Sequence, residues 1–273
     1  MVLEMKFSKD LFAAKILAID AGKEIMRIYA SDAKAGSKVE LKPDRSELTK
    51  ADLASNSIIL DGLKKTGYAV ISEEEQTEAE LPKDKMWVVD PLDGTMDFVR
   101  RTGEFAVMIG LLERRQPVLG VVHLPALGKT YYAEKGNGAH VESDGKVADL
   151  HTSSRSHLNE FRLINSKNHF TAKDAVFIRF LDNGTLVQKG SIGVKLAEMA
   201  EARAEFYWNF SGLSIWDMCA PQAILEEAGG QVFDFKGRPL DYSAPRLANG
   251  ILATNGKCKE EVLKAVSDFL QKT

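Results

Sequence analysis

Met86-Trp87-Val88-Val89-Asp90-Pro91-Leu92-Asp93-Gly94-Thr95 is the stretch that decides the fold, because an apolar run delivers two carboxylates, a glycine and a hydroxyl to one bend. The run Met86 to Val89 predicts a buried strand. Pro91 restricts Asp90 to an extended conformation and supplies no backbone donor, so the chain must turn just after it. Residues three apart on a straight strand point to opposite faces, so Asp90 and Asp93 converge only if the backbone bends between them. Pro91 and Gly94 suit such a bend. A calcium loop of the EF-hand type is excluded, since neither the spacing of the acids nor Pro91 fits it. An aspartyl-phosphate phosphatase would place its nucleophile and general acid two residues apart, whereas three separate them here across a proline. A plain turn with solvated acids is the remaining alternative.

A second acidic cluster, Glu73-Glu74-Glu75, follows the apolar stretch Tyr68 to Ser72. Taken alone it is a solvated acidic loop, which Glu78 and Glu80 extend. If the two strands are neighbours, however, their carboxylates gather at one end and need a cation. Acid-only ligation without His or Cys clusters favours magnesium over zinc. Thr49 and Asp52 open a helical pattern as an N-cap and its third residue, a capping pair. Asp52 also stands ready to accept a hydrogen bond from Thr95 and hold that hydroxyl toward a water. Trp216-Asp217 begins a further helix, with Ser214 as the cap and Asp217 either a dipole-stabilising acid or a rigidly held ligand.

The chain has 273 residues, 44% hydrophobic and 27% charged, enough for a large core in one or two domains. A net charge of −3 from interspersed signs argues against polymeric nucleic acid or an anionic membrane as partner. The first ten residues hold neither a signal-peptide core nor a membrane span, which predicts a cytoplasmic protein. Cys219 and Cys258 have no metal-ligand spacing and are expected to be reduced thiols.

Helical periodicity covers Leu11 to Tyr29, a second segment running from after Leu48 to Gly67, then Gly193 to Ala202, Trp216 to Gly229 and Lys259 to Lys272. Strands are predicted at Tyr68 to Ser72, Trp87 to Asp90, Phe105 to Glu113, Pro117 to Leu124 and Lys129 to Ala133, the last three as an antiparallel meander. After the polar stretch Glu142 to Asn159 come further strands at Phe161 to Asn165, Ala204 to Trp208, Gln231 to Asp234 and Gly250 to Thr254. A subdomain boundary near residue 150 follows, with 1–150 as an α+β part holding most of the acids and 151–273 as an α/β part holding Asp217. Sheets and helices should alternate in layers.

Trp87 to Thr95, Ile215-Trp216-Asp217 and the glutamates after Ile71-Ser72 together resemble the inositol monophosphatase superfamily of lithium-sensitive, magnesium-dependent phosphatases. Arg101 to Val107, Pro117 to Val122 and Ser191-Ile192-Gly193-Val194-Lys195 most resemble its 3'(2'),5'-bisphosphate nucleotidase branch. The resemblance implies the layered sugar-phosphatase fold, an αβαβα sandwich of the α/β class, and hydrolysis of a small phosphomonoester, with a possible homodimer. It implies two or three Mg2+ ions per site, held by Glu73, Asp90, the Leu92 carbonyl, Asp93 and Asp217, with Glu74 just outside them. Asp52, Glu73 and Thr95 would be the catalytic groups. Gly94 and Thr95 would grip the phosphate through backbone N–H groups, and Ser191, Lys195, Ser166, Lys167 and His169 would line the nucleotide side. Asn209 stands where nucleotidases commonly carry an arginine, and Phe210 about where the inositol enzymes carry a glutamate.

Overall fold

The structure is a computed structural model and describes residues 7–32, 39–41, 47–75, 81, 84–182 and 185–272. Glu78 and Glu80 lie outside the described residues. Helices α1 (Lys9–Asp32) and α2 (Lys50–Leu63) are separated by a short hairpin of β1 (Val39–Leu41) and β2 (Glu47–Thr49). A seven-stranded sheet then runs in chain order: β3 (Ala69–Ser72), β4 (Lys85–Asp93), β5 (Ala106–Glu113), β6 (Gln116–Leu124), β7 (Lys129–Glu134), β8 (Ala139–Ser143) and β9 (Lys146–Leu150), with the short helix α3 (Thr95–Val99) between β4 and β5. The five-stranded sheet is built from β10 (Leu163–Ser166), β11 (Leu186–Lys189), β12 (Phe206–Asn209), β13 (Gln231–Phe233) and β14 (Ile251–Thr254), in the order β11-β10-β12-β14-β13. Its helices are α4 (Ala172–Leu181), α5 (Ile192–Ala200), α6 (Ile215–Glu227) and α7 (Lys259–Lys272).

The period of two along β4 shows how the layers stack. Trp87 and Val89 face α1 and α2 in one core, whereas Met86 and Val88 face the helices α5 and α6 in another. Those helices are covered in turn by Ile164, Tyr207, Ile251 and Ala253 of the second sheet. On its far side Leu163, Phe206, Trp208 and Leu252 pack against Phe177 of α4 and Val262, Val266 and Phe269 of α7. The result is the αβαβα sandwich expected from the sequence.

Two differences from the sequence-based expectation concern polar elements. The stretch 142–159 contains most of the β8–β9 hairpin, whose turn residues Asp144 and Gly145 have φ of 51° and 70°. An Asp-Gly pair is the residue choice for such a turn, but β9 is almost wholly exposed, so no apolar alternation marks it. Helix α4 was also not anticipated. Thr171 and Asp174 form its capping box, a signal outweighed by the short apolar stretch that follows. The second helix ends earlier than its periodicity suggested, giving way after Leu63 to a 3-10 turn closed by left-handed Gly67. Among the described residues no helix is long and apolar enough to cross a membrane.

Helix α6 is buried on nearly every side, between the two sheets. It can lie there because Gly110 and Gly120, paired across β5 and β6, leave room for it. A Cβ on Gly120 would stand 2.2 Å from the Ala220 carbonyl oxygen, and one on Gly110 2.5 Å from the Cys219 sulfur. Gly120→Val should therefore push α6 off the sheet and cost roughly 2–3 kcal/mol. Urea denaturation would check this, and a midpoint equal to that of the unaltered protein would refute it.

Candidate active site

β3 and β4 are parallel, Ser72 lying opposite Val89, so their C-terminal ends share one edge of the sheet. The Glu73 amide continues the ladder by donating to the Val89 carbonyl at 3.1 Å. Glu73 thus emerges beside Asp90. The end of β3 is held to α2: the Ser72 hydroxyl donates to Asn56 Oδ1 at 2.6 Å, and Asn56 Nδ2 donates to Glu75 Oε1 at 3.1 Å. Glu74 is half-buried, its amide donating to the Ser72 hydroxyl at 3.3 Å.

The expected bend in β4 is a bulge. Asp90 pairs with Met108 and Asp93 with Ala106, so three steps on β4 answer two on β5 and the register shifts between the two acids. Asp90 is buried, and its Oδ1 accepts the Leu92 amide at 3.0 Å. The Pro91 carbonyl accepts the Ser55 hydroxyl at 2.7 Å, which fastens the bulge to α2. Gly94 then takes φ 90°, ψ 38°, a left-handed conformation that starts α3, and a Cβ there would meet the Glu104 carbonyl at 2.8 Å.

Thr95 opens α3 with its hydroxyl 3.1 Å from Asp52 Oδ1 and 3.2 Å from the Leu92 carbonyl. Asp52 serves both roles considered for it. Its Oδ2 accepts the Thr49 amide at 2.8 Å and hydroxyl at 2.6 Å, closing the capping box, while Oδ1 faces Thr95. Burial pushes the Asp52 carboxyl up to about 6, against the pull of the Thr49 and Thr95 hydrogen bonds.

Asp93 and Asp217 come from opposite halves of the chain. Asp93 Oδ2 accepts a short hydrogen bond from the Ser191 hydroxyl and a 2.7 Å bond from the Gly193 amide, at the N-terminus of α5. Asp217 is the third residue of α6, and its Oδ2 accepts the Ser214 amide at 2.6 Å. Burial raises the Asp217 carboxyl to about 8, reinforced by the charges of Glu73 and Asp93. Asp93 is raised as well, by burial first and by Glu73 in addition. Glu73 acts on Asp52, Asp93 and Asp217 alike, so these acids share one field.

Among the described residues, no three Asp, Glu, His or Cys side chains already stand at ligand spacing around one point. The donor set nonetheless fits a hard divalent cation: it is all oxygen, and Asp93 and Asp217 each have one oxygen anchored by backbone. Carboxyls whose ionisation is resisted by burial and by one another are the groups that a cation relieves.

The residues that the sequence predicts for the substrate side are more constrained than their positions suggest. Ser191 caps α5, accepting the Val194 amide at 3.1 Å while donating to Asp93, so its hydroxyl is part of the scaffold. Lys195 is not the solvated helix lysine that its isolated position allows but is buried at 3% exposure. Its ammonium donates to the carbonyls of Gly190 at 2.8 Å and Lys189 at 3.4 Å. Burial lowers it to about 8, opposed by Asp93, Asp97 and Asp217. Lys167 bridges Asp97 at 2.6 Å and Glu104 at 2.8 Å. The His169 amide donates to the Ser166 hydroxyl at 3.0 Å, and burial, with Lys195 nearby, lowers the imidazole.

Asp97 and Glu104 were missed as organising residues. Fully buried Asp97 also accepts from the Thr102 hydroxyl at 2.6 Å and from Asn168 Nδ2 at 2.5 Å. Glu104 takes the Gly190 amide at 3.0 Å and pairs with Lys189 at 3.3 Å. An acid two residues past Thr95 inside a five-residue helix carries no periodic signal that would mark it. Asn209 accepts the Ser211 amide at 2.9 Å, closing its own loop. Cys219 and Cys258 are free, buried thiols.

Layered fold, bulged acidic strand end and converging helix N-termini define a metal-assisted phosphatase architecture. A family model, Inositol monophosphatase family, matches residues 8–271, and the chain belongs to that family. The 3'(2'),5'-bisphosphate nucleotidase CysQ of Shigella flexneri is 34% identical over 231 residues, covering 83% of this chain and 91% of the relative. A fructose-1,6-bisphosphatase/inositol-1-monophosphatase of Thermotoga maritima is 28% identical, covering 82% and 84%. Among solved structures, an IMPase of Thermotoga maritima superposes with a TM-score of 0.82 at 26% identity, covering 97% of this chain and 99% of that one. CysQ of Bacteroides thetaiotaomicron gives 0.76 at 29% identity, covering 91% and 98%.

Asp97→Ala should cost on the order of 3 kcal/mol, because it takes one of its two carboxylates from the Lys167 ammonium and leaves the Thr102 and Asn168 donors without their acceptor. A double-mutant cycle with Lys167→Ala checks this: additive losses would show that the pair contributes nothing jointly.

Proposed function

We propose that this chain is a magnesium-dependent phosphomonoesterase that removes the 3'-phosphate of adenosine 3',5'-bisphosphate. The observation that carries this is the gathering of Glu73, Asp93 and Asp217 in one field beside the Asp52–Thr95 hydrogen bond, with Asp90 next to Glu73 at the paired strand ends. Similarity to the CysQ nucleotidases favours the bisphosphate nucleotide over inositol or fructose phosphates. Phe210 also fails to supply the glutamate that the inositol enzymes direct at their substrate.

Glu73, Asp90, the Leu92 carbonyl, Asp93 and Asp217 would hold two or three Mg2+ ions, with Glu74 outside them. Such ions offset the repulsion between a phosphate ester and an attacking hydroxide and bring water closer to ionisation at neutral pH. The protein's own groups do the rest. Asp52 fixes the Thr95 hydroxyl so that it orients the attacking water and takes part in its deprotonation. The Gly94 and Thr95 amides hold the phosphate. Lys195, Lys167, Ser166, Ser191 and His169 form the wall on the nucleotide side.

Asp90→Asn should abolish turnover and also the rise in thermal midpoint on adding magnesium, two readouts that separate lost binding from lost folding. Thr95→Ala should keep the magnesium-induced rise and lose about 10²–10³ in kcat. Full activity in either variant would refute its assignment. Parallel assays of the bisphosphate nucleotide, inositol 1-phosphate and fructose 1,6-bisphosphate, with and without magnesium, test the substrate. Preferential turnover of a sugar phosphate would replace the nucleotidase assignment with that of a sugar phosphatase.

A further inference from the structure

The segment Pro245–Leu247 is clamped onto the start of α6. The Ile215 amide donates to the Pro245 carbonyl at 2.9 Å, the Leu247 amide donates to the Leu213 carbonyl at 2.8 Å, and Ser214 and Arg246 face each other as an antiparallel bridge between them. Ser214 is the residue whose amide holds Asp217. Arg246 is thus carried to the rim of the acidic centre by backbone bonds rather than by its own side chain, and its charge reaches Asp217, opposing the rise in that carboxyl.

The cations around the centre are otherwise committed. Lys195 is spent on two carbonyls, Lys167 on Asp97 and Glu104, and Lys189 on Glu104. Burial, with Lys195 nearby, holds the His169 imidazole below its usual value and so disfavours its charged form. Asn209 is occupied by its own loop. Arg246 is exposed and has no carboxylate within ion-pair distance among the described residues. An exposed guanidinium on a rigid clamp, beside acids that would repel any further negative charge, is suited to the bidentate capture of a phosphate.

We propose that Arg246 binds the phosphate of the substrate that is not hydrolysed, and so determines the preference for a bisphosphate over a monophosphate. This rests on the nucleotidase reading above, and Arg246 is a binding residue with no part in the attack on phosphorus.

The test compares adenosine 3',5'-bisphosphate with the same nucleotide lacking its 5'-phosphate, in the unaltered protein and in Arg246→Ala and Arg246→Lys. In Arg246→Ala the preference in kcat/KM for the bisphosphate should fall about ten-fold or more, with the loss in KM rather than kcat, and Arg246→Lys should recover part of it. A preserved preference overturns the assignment, as does an equal loss on both substrates, which would mean that Arg246 only braces α6. If the unaltered protein fails to hydrolyse the bisphosphate while hydrolysing a sugar phosphate, the nucleotidase reading itself falls and takes this inference with it.

Discussion

The site depends on one carboxylate that belongs to both halves of the chain. Asp93 ends β4, yet its Oδ2 is held by the hydroxyl and amide at the start of α5, about a hundred residues further on. A helix N-terminus offers unpaired amides and a partial positive charge, so an acid placed there is stabilised without a cationic side chain. Asp217 repeats the device at the start of α6, with Ser214 as the anchoring amide. Both helices lie between the two sheets, so each acid is positioned by the core behind it. The bulge in β4 then sets the angle between Asp93 and its neighbour Asp90.

Such an arrangement carries an electrostatic cost that the fold does not remove. Asp93 and Asp217 are partly buried, face the charge of Glu73, and resist ionisation. Lys195 offsets this only in part, being itself buried and lowered. The remainder is a set of crowded oxygen donors whose ionisation a small divalent cation would favour. Asp97 and Glu104, by contrast, meet Lys167 and Lys189 in an ion-pair network that fixes the loop after α3 against the segment before α5.

Much of this was legible in the sequence, for reasons particular to certain residues. The bend after Asp90 followed from Pro91 and Gly94, and the capping of α2 from Thr49 and Asp52, because both are local rules. The succession of helical and strand segments pointed to layers of sheet and helix, but the five-layer order came from the family resemblance, because β4 and β5 are continuous apolar runs buried on both faces. What was hidden is non-local. The burial of Lys195 depends on carbonyls of the segment before its own helix, and the importance of Asp97 on a lysine 70 residues away. The exposed edge strand β9 has no buried face to leave a pattern, and Arg246 gains its place only through a backbone bridge to Ser214.

The paired glycines under α6 have a consequence for how such a protein can diverge. Because the helix bearing Asp217 sits on bare backbone at Gly110 and Gly120, the carboxylate cannot drift without disturbing a close contact between helix and sheet. The segment Pro245–Leu247 at the rim of the same centre is held through backbone groups, so the side chain at position 246 carries no comparable constraint. Divergence can therefore exchange the rim residue while the helix that carries Asp217 stays fixed by interior shape.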